Sequence, residues 1–122
     1  MSKRKVPLRK VAKLVRCTDE EFREIVMRLR HTCPPPAGCA VVCTRKRREI
    51  DGLENLAETE KTRRTFTITV SDELTETETI DAMIHEWAHV MSWRPYHPVD
   101  GDHDPVWGIS FAVVYRQYHG TK

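Results

Sequence analysis

Long apolar runs are missing from this chain. No stretch approaches the roughly 20 consecutive hydrophobic residues that a membrane-spanning helix needs, so no membrane partner is expected. The first 17 residues, MSKRKVPLRKVAKLVRC, are basic but hold no uninterrupted apolar segment. No secretory signal peptide is therefore expected, and the cytoplasm is the expected location. Internal repeats and low-complexity tracts are also lacking, which argues against a solenoid or a disordered spacer. Paired C-x-x-C motifs are absent too. The spacings of Cys17, Cys33, Cys39 and Cys43 do not make a zinc ribbon. On a strand, Cys39 and Cys43 would stand ~13 Å apart, too far to bridge each other. Four reduced thiols that mostly pack are the expectation.

With 122 residues, 39% hydrophobic and 31% charged, the chain fits one globular domain spanning 1–122, with residues 1–16 as a mobile basic segment. Its net charge of +2 conceals a division. Residues 1–50 carry 14 Lys/Arg against 5 Asp/Glu, and residues 51–122 carry 6 against 13. A basic half of net +9, with Arg45, Lys46, Arg47 and Arg48 in one run, suggests non-specific contact with nucleic acid. A basic face that meets only solvent would give the same counts.

The chemistry concentrates in residues 75–93, TETETIDAMIHEWAHVMSW. His85, Glu86 and His89 form an H-E-x-x-H pattern inside an apolar segment of helical period. Residues i and i+4 lie one turn apart on one helix face, so two imidazoles at that spacing can close on one metal ion. This is the zinc-protease signature, with Glu86 beside the ligands as the general base. A shuffled chain of this composition would show the pattern only about 0.02 times. Thr75 and Glu78 read as a capping box that starts the helix. Ile80, Met83, Ile84, Trp87, Ala88, Val90 and Met91 surround it with apolar side chains, which predicts a buried helix. Two histidines and a glutamate inside such a helix are costly unless they bind metal or pair among themselves, and the second case is the competing reading.

Elsewhere the chain predicts an α+β fold. Thr18 and Glu21 form another capping box, and Phe22, Ile25, Val26 and Leu29 predict an amphipathic helix over 19–31, stopped by Pro34, Pro35 and Pro36. Residues 38–44 read as a buried strand, followed by a turn at Asp51-Gly52 and a partner strand at 47–50 or 53–57. Residues 54–64 read as a polar loop. Residues 64–70 alternate Phe66, Ile68 and Val70 with threonines, a half-buried strand. If that strand is a sheet edge, it could align an extended peptide. Asp104 as N-cap and Pro105 at the first helical position open a closing helix running to about Tyr118, with Gly120 beyond it.

A catalytic zinc takes three protein ligands and keeps one position open. His97, Asp100, Asp102, His103, Asp104 and His119 are candidates for the third. His103 is favoured because it stands at the mouth of the closing helix. The metzincin spacing fails, since Ser92 and Pro95 occupy its glycine and third-histidine positions.

His85-Glu86-x-x-His89, a loop, and then His103-Asp104-Pro105-Val106-Trp107 resemble the SprT-like zincins, small metallopeptidases that include phage-encoded members. Trp107 matches the aromatic found four residues after the third histidine, while Asp104 replaces the usual glycine. The resemblance covers roughly residues 64–118. It implies a minimal zincin-like core in which an N-terminal helix, a small sheet, the H-E-x-x-H helix and a closing C-terminal helix surround a Zn2+ ion. It also implies hydrolysis of peptide bonds in a protein or peptide substrate; some relatives act on DNA-bound proteins. Tyr96, His97 and Tyr115 are the candidates for stabilising the oxyanion. The alternative is a non-catalytic module that keeps zinc for stability and binds nucleic acid or a protein through its basic half. A structural site, however, has no use for a base at Glu86.

Overall fold

The computed structural model describes residues 15–47, 56–93 and 105–120. In order these form α1 (Asp19–Thr32), β1 (Ala40–Lys46), β2 (Ala57–Thr62), β3 (Thr65–Ser71), α2 (Glu76–Met91) and α3 (Pro105–His119). The described residues thus form a small α+β domain with three helices and a three-stranded mixed sheet. The expected mobile segment lies almost wholly outside the described residues, as do the Asp51-Gly52 turn and the N-cap at Asp104. No described helix is long and apolar enough to cross a membrane.

Both capping boxes form. Thr18 Oγ1 accepts from Glu21 N at 3.0 Å while Thr18 N donates to Glu21 Oε1 at 2.9 Å. At α2, Thr75 Oγ1 accepts from Glu78 N at 3.2 Å and Thr75 N donates to Glu78 Oε1 at 3.0 Å. Each box satisfies two backbone donors that a helix start leaves unpaired. At the far end of α3, Gly120 takes φ 83 and its N–H donates to Arg116 O at 2.8 Å, the left-handed stop that glycine permits.

The strand pairing is not legible from local pattern. The sheet order is β1-β3-β2, so the strand containing 64–70 is central and not an edge. β1 pairs with β3 in parallel (Val41 with Phe66, Cys43 with Ile68) and not with β2, while the expected hairpin partner at 47–50 or 53–57 lies largely outside the described residues. Part of the segment read as a polar loop is the strand β2, antiparallel to β3 with Thr59 opposite Ile68. The reason lies in the two-residue turn at Arg63 and Arg64, where Arg63 adopts φ 57. A two-residue connection whose first residue has positive φ folds β2 straight back along β3. With that edge of β3 taken, β1 can pair only along the other.

Val41, Phe66, Ile68 and Val70 present one face of the sheet to Phe22, Ile25, Val26 and Leu29 of α1 and to Met83, Ile84, Trp87 and Val90 of α2. Two polar ties lock the helices together. The buried Trp87 indole donates Nε1–H to Cys33 O at 2.9 Å, fixing α2 against the end of α1. Arg28 Nε donates to Tyr118 O at 2.6 Å with its guanidinium over the Tyr118 ring, holding the end of α3 on α1. All four cysteines are unbridged. Burial raises the thiol pKa of Cys17 and Cys33, and pushes Cys43 up to about 11, so these three stay protonated at neutral pH.

Candidate metal centre

α2 carries His85, Glu86 and His89 in its second half, on the part of the helix that packs beside β2 and α3. Ile84, Trp87 and Ala88 are fully buried, and helical geometry then sets His85 and His89 on the adjoining, half-buried face. Their ring centroids are 5.2 Å apart at an interplanar angle of 69°. Imidazoles bind zinc through nitrogens at about 2.0–2.1 Å, so two rings on one tetrahedral ion stand ~5 Å apart, centroid to centroid. The pair fits that demand. No group of three or more His, Cys, Asp or Glu suited to holding a metal occurs among the described residues. His103, with Asp100, Asp102 and Asp104, lies outside them.

Glu86, between the histidines in sequence, is only 7% exposed. Its Oε1 accepts from Thr59 Oγ1 on β2 at 2.6 Å. Burying a carboxylate without donors is expensive, and a short hydroxyl donation is one way to offset that cost. Thr59 was not among the sequence candidates. The available signal was the alternation in AETEKT, which sets Glu58 and Glu60 on one face and Ala57, Thr59 and Lys61 on the other. The segment is too poor in aromatic and β-branched residues for that signal to dominate.

The third wall comes from α3. The Trp107 ring lies 5.0 Å from that of His85 and 5.6 Å from that of His89, and its indole N–H points to His85 O at 3.4 Å. The start of the closing helix is therefore held on both imidazoles. Trp107 leads into a ladder of rings through Phe111 at 5.2 Å to Tyr115 at 6.1 Å. Tyr115 is 46% exposed and stands two turns from Trp107, ~12 Å along the helix axis, with His119 as its other ring neighbour. The fold thus brings together His85, Glu86, His89 and Trp107 but does not bring Tyr115 to them. The other oxyanion candidates, Tyr96 and His97, lie outside the described residues.

The basic run divides. Lys46 and Arg47 are exposed, with Arg47 Nη2 3.3 Å from Glu73 Oε2, and Arg48 lies outside the described residues. The Arg45 side chain is only 10% exposed and turns inward. It donates to Asp19 Oδ1 and to Cys17 O, each at 2.7 Å, and lies over the Phe22 ring. That makes it a tie between β1 and the start of α1. Arg45→Ala is therefore expected to lower the melting temperature by about 5 °C, since it deletes part-buried hydrogen bonds from a cation to Cys17 O and Asp72 O and an exposed one to Asp19. Lys46→Ala should shift it by no more than about 2 °C, and calorimetry on the two variants checks the contrast.

No protein family, curated protein or solved structure matches the chain.

Proposed function

We propose that this chain is a zinc-dependent metallopeptidase of the SprT-like zincin type, with a minimal zincin core in which His85, His89 and His103 hold the metal and Glu86 is the general base. The observation that carries this reading is the convergence on one helix face of two half-buried imidazoles at metal-sharing separation, with a buried carboxylate on the residue next to the first of them. Trp107 supports His103 as the third ligand, because it packs on both imidazoles and follows His103 by four residues.

Held by His85, His89 and His103, zinc would supply Lewis acidity for the scissile carbonyl and would lower the pKa of a water toward ~7. The Glu86 carboxylate takes the proton of the attacking water and passes it to the leaving amine. Trp107 walls the imidazoles on one side and limits solvent there. An extended substrate is aligned by main-chain pairing along the outer edge of β2, whose core-facing Thr59 touches Glu86.

Elemental analysis of protein purified without added metal should find about one zinc per chain. Cleavage of casein should stop on chelation and return with zinc. Casein cleavage that survives complete removal of metal would overturn the assignment.

A further inference from the structure

We infer that Thr59 is the positioning residue for Glu86, an inference that rests on Glu86 being the base of the proposed reaction. Thr59 belongs to β2, an edge strand, and lies opposite Ile68 on the side of the sheet that faces the helices. A valine there would have the same shape and suit a half-buried strand position equally well. The hydroxyl is instead aimed at Glu86 Oε1, 2.6 Å away. A carboxylate has two oxygens and about four acceptor positions, so the donation from Thr59 restrains Oε1 without exhausting the group's capacity to accept a proton. The Glu86 side chain has several rotatable bonds, and reaction demands that its oxygen stay at one place beside the ligands. β2 supplies that restraint from outside the helix, because its register on β3 sets the position of the Thr59 hydroxyl. Thr59 need touch neither substrate nor metal to do so.

The test compares Thr59→Val, Thr59→Ser and Glu86→Gln on one peptide substrate, with zinc content measured for each. Thr59→Val is expected to retain its zinc and to lose about 10- to 100-fold in kcat with KM little changed, the signature of a misplaced catalytic group. Thr59→Ser keeps the donor and should recover kcat to within about threefold of wild type. A second measurement uses metal-free protein, where Thr59→Val should lower the melting temperature by about 4 °C when Glu86 is present and by less than about 1 °C in a Glu86→Ala background. Wild-type kcat in Thr59→Val alongside an inactive Glu86→Gln would overturn the role of Thr59 and leave the base assignment standing. Wild-type activity in Glu86→Gln would overturn the base assignment and the role of Thr59 with it. Failure of Thr59→Ser to recover activity, or equal melting shifts in both backgrounds, would show a packing contact only and overturn the proposal.

Discussion

Glu86→Gln is expected to slow peptide cleavage by about 10²- to 10⁴-fold, the range set by losing a placed proton acceptor. Gln has almost the same shape as Glu, and its amide oxygen can still accept the Thr59 hydroxyl that Glu86 Oε1 accepts at 2.6 Å. What disappears is the ability to take a proton. Zinc content should hold at about one per chain, because Glu86 is not among the proposed ligands. The melting temperature should hold or rise, since a neutral amide costs less to keep at 7% exposure than a carboxylate does. This pattern separates the proposed enzyme from a module that keeps zinc only for stability, which has no activity to lose. Activity assays of wild type and variant at equal zinc content decide it, and equal rates would remove Glu86 from the mechanism.

His85→Ala should behave in the opposite manner, losing metal and stability together. Ion binding to the folded state alone stabilises it by about 4 kcal/mol when free metal exceeds Kd a thousandfold, equivalent to roughly 15 °C in melting temperature for a chain of this size. His85→Ala removes one of two imidazoles whose rings lie 5.2 Å apart, and it also removes the ring against which Trp107 packs at 5.0 Å. The zinc-dependent part of the melting temperature should therefore vanish, and a smaller packing loss should persist in metal-free protein. His103→Ala should likewise abolish the zinc-dependent part, whereas His119→Ala, at an exposed position near the end of α3, should retain it. Melting curves with added zinc and with chelator measure both terms. Full zinc retention by His103→Ala, with loss in an Asp100, Asp102 or Asp104 variant, would move the third ligand to that aspartate.

The sequence by itself determined what depends on near neighbours along the chain. Thr18 with Glu21 and Thr75 with Glu78 set two helix starts, since a capping box is complete within four residues. Gly120 marked the end of α3, and the alternation of Phe66, Ile68 and Val70 marked β3 and its buried face. The i, i+4 spacing of His85 and His89 likewise required only that the segment be helical.

Tertiary structure decided the rest, because those outcomes depend on partners far away in the chain. AETEKT has little strand propensity of its own and becomes β2 by pairing with β3 across the Arg63-Arg64 turn. That pairing makes β3 central and carries the Thr59 hydroxyl to Glu86, 27 residues on. Arg45 looks like any member of a basic run until Cys17 O, 28 residues away, accepts its guanidinium and turns the side chain inward. Helix starts and hydrophobic period are local free-energy choices. Strand order and the depth of a charged side chain are settled only when distant segments meet, because the pairing and desolvation energies that decide them do not exist before then.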